Sequence, residues 1–242
     1  MKSKLISILL GFASLASAKA DDFFIGTRGP KDWQLDERIT YSEKHDKKAR
    51  TDILAHTAVV KHWTGDKLGW FGIGILPYKH IEKSGIENTG FGDLTIKTGP
   101  RGYHDFGSYG SFHWIINGGF SFPTGNEKKP ALGTGGYDAK LGFTTTYLTK
   151  DKKNELTTSF EYTFPEQNAA LEKANDISAG FIAGRQVNKK LRLGLGMTGN
   201  LKQNNLEDGN YSMNARVLAR YNLSKSWHLQ FLGETSMAER NM

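Results

Sequence analysis

The sequence predicts an all-β protein, a transmembrane antiparallel up-and-down β-barrel of about 10–12 strands. The first observation behind this is a strict alternation. Phe112, Trp114, Ile116, Gly118, Phe120 and Phe122 fall on one face, and His113, Ile115, Asn117, Gly119 and Ser121 on the other. A period of two means a strand, because successive side chains leave opposite sides of the pleat. The second is length. The same pattern runs from Tyr137 to Tyr147, beyond the ~5–6 residues usual in soluble sheets and suited to the ~9–11 of a tilted membrane-crossing strand. The third is rhythm. Short connections at Thr64–Lys67, Lys150–Lys153, Asn188–Lys190 and Ser224–Ser226 alternate with longer ones at Lys79–Thr89, Pro123–Gly133, Pro165–Lys173 and Gln203–Gly209. Short periplasmic turns and long external loops give a barrel that alternation.

Residues 1–20 read as a signal peptide. Lys2 and Lys4 precede an apolar run from Leu5 to Leu15, and Ala16-Ser17-Ala18 supplies a small-x-small cleavage site. A single membrane anchor helix is the weaker reading, since the run is well short of ~20 residues. Residues 21–50 form an N-terminal lead-in with a turn at Arg28-Gly29-Pro30 and a candidate first strand at Gln34–Tyr41. Residues 51–242 form the barrel. Thr51–Trp63 and Leu68–Tyr78 make a hairpin, and Gly90–Gly99 follows as a strand. Arg101–Gly107 reads as a connection to Phe112–Phe122.

Beyond Lys150, Leu156, Thr158, Phe160, Tyr162 and Phe164 share a face. Ile177, Ala179, Phe181 and Ala183 pair through the Asn188-Lys189-Lys190 turn with Leu191, Leu193, Leu195 and Met197. Tyr211–Tyr221 alternates again, and Trp227, Leu229 and Phe231 close the series. Aromatics near strand ends, such as Tyr137 and Tyr147, Tyr211 and Tyr221, and Trp227, suit interfacial girdles.

The opposite faces carry the candidate lumen-lining residues: His113, Asn117, Asp138, Lys140, Glu161, Arg192, Asn214, Arg216, Arg220 and His228. Lys97, Asn200, Lys202 and Gln230 share those faces. Inward charges either pair or wet a channel, because unpaired burial costs too much. Lys140, Arg216 and Arg220 are expected to favour anions weakly. The competing reading makes this face the solvated outside of a soluble sandwich, whose core would then be unusually aromatic.

Composition narrows the function classes. The chain has no cysteine, which excludes disulfides, thiolate metal sites and a cysteine nucleophile. The net charge is +7, and +5 without Lys2 and Lys4. The lysines sit mainly in turns rather than in a basic and aromatic patch, so no nucleic-acid partner is expected. The expected partners are outer-membrane lipid and lipopolysaccharide, the barrel-assembly machinery and a small-molecule solute. No later segment has the continuous apolar length of a membrane helix, and low mean hydropathy is compatible with a barrel, which hides its apolar surface in alternation.

At Gly90–Thr149 the sequence resembles the outer-membrane barrel family named for the meta-pathway of phenol degradation. Three blocks carry the resemblance: Gly92-Asp93-Leu94 opening a strand, Phe122-Pro123-Thr124-Gly125-Asn126 closing one, and Leu132-Gly133-Thr134-Gly135-Gly136-Tyr137-Asp138 opening the next. The resemblance implies an outer-membrane, porin-like barrel that acts as a transporter or channel, linked to aromatic compounds in some members. The chain departs from many such barrels in ending Glu239-Arg240-Asn241-Met242 rather than on an aromatic residue.

Catalytic and cofactor motifs are weak. Gly194-Leu195-Gly196-Met197-Thr198-Gly199 matches a dinucleotide fingerprint but lies within a strand pattern with no helix after it, so no cofactor is expected. His113 with Asp138 or Glu161 would be the base and acid of a lipid-modifying barrel enzyme, and no nucleophile motif accompanies them. His56 and His62 share a face without a third metal ligand. No metal site is expected. Three functions therefore stand: a channel, a structural or interaction barrel with a plugged lumen, and a lipid-modifying enzyme.

Overall fold

The period-two pattern becomes strands throughout. The computed structural model describes the backbone of residues 6–15, 33–46, 49–65, 67–126, 128, 130–166, 175–204, 208–222 and 227–240, and side chains within 51–201, 211–222 and at 235, 237 and 238. In order, β1 is Ile6–Leu15, β2 Trp33–Asp46, β3 Ala49–Trp63, β4 Leu68–Lys83, β5 Ile86–Phe91, β6 Leu94–Asp105 and β7 Ser111–Phe122. They are followed by β8 Asp138–Leu148, β9 Asn154–Pro165, β10 Asn175–Gln186, β11 Leu191–Asn204, β12 Asp208–Asn222 and β13 Trp227–Arg240. Among the described residues there is no helix.

All thirteen strands join one antiparallel sheet, each pairing with its chain neighbour from β6 to β13. β1 pairs with β13 and also lies alongside β2, so the sheet curls round on itself. The ladder connects β1 to β13 and not to β2 among the described residues. Apart from β1 and the short β5, the strands run from 11 residues in β8 to 16 in β4, enough to cross a bilayer at a tilt.

β4 pairs twice. Ile75 faces Thr95 of β6, whereas Tyr78 faces Phe91 of β5, so three steps on β4 match four on its partner. The extra residue falls at Gly92-Asp93, a β-bulge. β5 and β6 are thus two parts of one interrupted strand, and the sheet has twelve strand positions rather than thirteen.

The expected loop at Lys79–Thr89 is instead a hairpin. Ser84 and Gly85 both adopt positive φ, 53° and 77°, which is the type I′ signature of a two-residue turn with Lys83 facing Ile86. The segment reads as a loop because its strands are polar where they extend past the apolar belt. For the same reason β6 continues through the expected Arg101–Gly107 connection to Asp105, and β11 and β12 reach Asn204 and Asp208.

Burial identifies the two faces. Trp70, Tyr78, Ile96, Phe120, Leu141 and Leu195 are exposed, the last three on faces that the alternation marks as apolar. Their neighbours in sequence point inward and meet across the curve. Trp63, Phe71 and Ile115 pack together with Ile73 against them, although they come from β3, β4 and β7. An apolar exterior around an enclosed interior is the reverse of a soluble fold, and it is what hydrocarbon solvation requires. Outward polar groups are paired in place, as Thr145 and Thr158 show with hydroxyls 2.7 Å apart across the ladder.

Candidate functional site

The inner face divides into two walls. On β3 and β4 it is apolar, with Ala55, Val59, Trp63, Phe71 and Ile81 buried. From β7 to β12 it is mainly polar: His113, Asn117, Thr146, Thr157, Arg192 and Arg220 are buried there, among the apolar Ile115, Leu148, Ile182 and Leu218. Strand alternation produces both walls from the same rule, and the choice of inward residue sets their chemistry.

Midway along the polar wall three charges converge. The Lys97 ammonium of β6 donates to one oxygen of Glu161 on β9, and the Lys140 ammonium of β8 lies 3.5 Å from the other. Lys140 also donates to the Thr163 hydroxyl at 3.2 Å. Lys97 must reach past β7 and β8 to arrive at Glu161. Gly119 faces Lys97 and Gly142 faces Glu161, and both present no side chain. A Cβ on Gly119 would stand 2.7 Å from Lys97 Cγ and 2.5 Å from the Ile96 carbonyl oxygen, so only glycine leaves this corridor open. The three side chains keep 18%, 18% and 28% of their surface exposed. They are ion-paired yet reached by solvent, unlike core residues.

A second pair lies towards the end that carries the turns after β3, β8 and β10. Arg192 donates from Nη1 to Glu155 Oε2 at 2.7 Å, from Nε to Gln186 Oε1 at 2.8 Å and from Nη2 to the Lys152 carbonyl at 3.0 Å. Both partners are almost fully enclosed. The Thr146 and Thr157 hydroxyls, 2.9 Å apart, lie next to it and are buried. Opposite in the sheet, Trp63 is equally enclosed, so the interior is closely packed at this end.

The other end carries residues 123–137, which fold over the inner face. Lys79 donates to the Leu132 carbonyl at 2.8 Å, and Asn88 donates to the Lys128 and Pro130 carbonyls at 2.9 Å each. Leu132 is buried beneath them. Asp93, in the bulge, fastens the segment. It accepts from the Gly125 amide at 3.0 Å and from both the amide and the hydroxyl of Thr134, the latter at 2.8 Å. Thr124 donates to the Gly92 carbonyl and accepts from the Leu94 amide, each at 2.9 Å. The three sequence blocks quoted above thus converge on one hydrogen-bonded node.

The predicted inner residues fall as follows. His113, Asn117, Asp138, Lys140, Glu161, Arg192, Asn214, Arg216 and Arg220 occupy the inward register, with Asp138 beneath the folded segment, where Thr134 donates to it at 3.3 Å. His228 stands opposite Asn222 in the ladder, and its side chain lies outside the described residues, as do those of Lys202 and Gln230. His113 faces Thr146 while Asp138 faces Ser121, eight positions along the same pair of strands, so His113 and Asp138 do not meet. His113 instead bonds to the Ser111 hydroxyl at 3.0 Å and stacks on Tyr103. His56 and His62 share the outer face, and no group of three metal-ligating side chains occurs among the described residues. Gly194–Gly199 lies inside β11. Sequence reasoning did not find the Asp93 node, because its partners lie some 30 to 40 residues away.

Residues 32–242 match the family described as "Putative MetA-pathway of phenol degradation". Among solved structures, the chain is similar to the COG4313 outer membrane channel of Pseudomonas putida F1, at 12% identity and a TM-score of 0.62, over 97% of this chain and 93% of that one. No curated protein matches the chain. The fold is that of an outer-membrane barrel.

Proposed function

The chain belongs to the MetA-pathway family, and on that footing we propose that it is an outer-membrane channel for small solutes. One observation carries the reading: a solvent-reached ion cluster, Lys97–Glu161–Lys140, stands inside a barrel whose exterior is apolar. Charges kept wet inside a hydrocarbon-facing wall suit an aqueous path. The similarity to a solved outer membrane channel supports it. The half-buried Ile73 and Ile75 on the apolar inner wall suit solutes with an apolar, including an aromatic, part.

In this reading residues 1–20 are a signal peptide removed on export. Ile6–Leu15 then leaves the edge of β13, and the mature barrel closes without it, because an unpaired strand edge is not tolerated in lipid. The outward groove of about 430 Å³ lined by Trp114, Ile116, Leu141, Phe143 and Phe160 takes lipid acyl chains. Outer-membrane lipid, lipopolysaccharide and the barrel-assembly machinery are the partners. We assign no enzymatic activity. A plugged barrel is the second reading, favoured by the enclosed packing around Trp63, Thr146 and Thr157.

The deciding experiment is single-channel recording of the refolded mature protein in planar bilayers, after heat-modifiable gel mobility has confirmed folding. Discrete conductance steps support the channel. A folded protein that gives none supports the plugged barrel.

A further inference from the structure

We propose that the Lys97–Glu161–Lys140 cluster is a solute-binding station, and that it takes a small carboxylate carrying a compact apolar body. The proposal deepens the channel reading and rests on it for physiological meaning, although the binding itself is tested without conduction.

Charge balance comes first. Two ammonium groups converge on one carboxylate, so the cluster holds one positive charge in excess, which an incoming carboxylate neutralises. Each ammonium has three N–H donors. Lys97 uses Glu161, and Lys140 uses Glu161 and Thr163, which leaves donors on both. Their partial exposure puts those donors within reach of the lumen.

A second polar group lies beside the cluster. Asn117 lies one strand pair from Glu161, since Asn117 faces Gly142 and Gly142 faces Glu161. Its side chain is buried, and its amide oxygen has no hydrogen-bond partner among the described residues. An unpaired buried amide is costly. The unpaired atom is an acceptor, so it calls for a donor next to the carboxylate, such as a spare ammonium N–H of the cluster or a hydroxyl on the ligand's body. Gly142 leaves the space beside it open.

The third element is the boundary between the two walls. Ile73 of β4 stands directly opposite Lys97, Ile75 opposite Thr95, and Val59 of β3 opposite Ile75. Paired residues on adjacent strands lie about 5 Å apart. Val59 is itself enclosed, so the apolar surface left to a ligand is that of the half-buried Ile73 and Ile75, one strand away from the ammonium groups. A ligand with a charged head and a compact apolar body satisfies both at once. A phosphate or a bare inorganic anion leaves the apolar side unused.

Isothermal titration of cyclohexanecarboxylate into the folded protein in detergent tests this, with cyclohexanecarboxamide as the neutral isostere and acetate as the head without the body. Saturable binding of the carboxylate, at least tenfold tighter than the amide or acetate, is expected. Lys97→Met with Lys140→Met should abolish it, Glu161→Gln should tighten it severalfold, and Ile75→Thr should narrow the gap to acetate. Heat-modifiable mobility confirms that each variant is folded. If the double lysine variant fails to fold, the Lys140→Gln single variant carries the test through a severalfold loss. Equal binding of carboxylate and carboxamide, or binding unchanged by the lysine substitutions, overturns the proposal. Binding by a protein that shows no conductance would retain the station and overturn only the channel.

Discussion

Replacing Arg192 by Met removes a buried cation that bonds to three partners inside the barrel. The guanidinium donates to Glu155, Gln186 and the Lys152 carbonyl, and the Arg192 and Glu155 side chains are 6% and 1% exposed. Losing one partner of a buried ion pair costs about 3–5 kcal/mol, because the remaining charge keeps its desolvation penalty without the attraction that offset it. The double substitution Arg192→Met with Glu155→Leu removes both charges, and for such pairs the net change is close to zero. The cycle of the two single variants and the double should therefore give a coupling above about 2 kcal/mol. The assay is denaturant unfolding of the refolded protein in lipid, followed by tryptophan fluorescence. An Arg192→Met cost below about 1 kcal/mol, or additive single substitutions, would refute the reasoning and mean that the pair is effectively solvated.

Three further outcomes are expected. Asp93→Ala removes three hydrogen bonds that fasten residues 123–137. The segment should open more easily by at least about 1.5–3 kcal/mol, the worth of even one of these bonds to a charged group, which limited trypsinolysis after Lys128 would detect as a rate increase of at least tenfold. Leu141→Arg, at an exposed mid-strand position on the outer face, should destabilise the barrel by about 2–4 kcal/mol in lipid, whereas Lys140→Gln on the inner face should cost much less; equal costs in the same unfolding assay would mean the faces are misassigned. In the turn after β8, the Asp151 carboxylate accepts from the Thr149 hydroxyl at 2.6 Å and the Lys153 amide at 3.0 Å, and these bonds hold its pKa below the ordinary 3.8. Because the folded value is depressed, the turn's contribution is fully present above the unfolded pKa and is lost as pH falls through the folded one. A carboxyl carbon NMR titration of Asp151 with a midpoint at or above 3.8 would contradict this.

The strands were legible because alternation is a local property. From Phe112 to Phe122 each residue declares its side of the sheet, and the structure places each where the pattern assigns it. The inner residues were legible for the same reason. Partnership was not. Lys97 and Glu161 are 64 residues apart and meet only because glycines on two intervening strands clear the way. His113 and Asp138 looked like neighbours on adjacent strands until the ladder register set them eight positions apart. Register depends on turn geometry and bulges, which side-chain pattern alone does not specify. The polar ends of β4, β5, β11 and β12 look like loops in sequence, since polarity outside the apolar belt carries no information about backbone pairing.

The bulge at Gly92-Asp93 is also a change of phase. On β5, odd-numbered residues such as Phe91 face out; on β6, even-numbered ones such as Ile96 do. Everywhere else along these strands a one-residue insertion or deletion would turn a strand inside out, sending its polar row into lipid and its apolar row into the lumen. At this point the chain already contains such a slip, absorbed in two residues and held by Asp93. Parity sets which row of β5 and of β6 meets lipid, and Asp93 fastens the point where it changes.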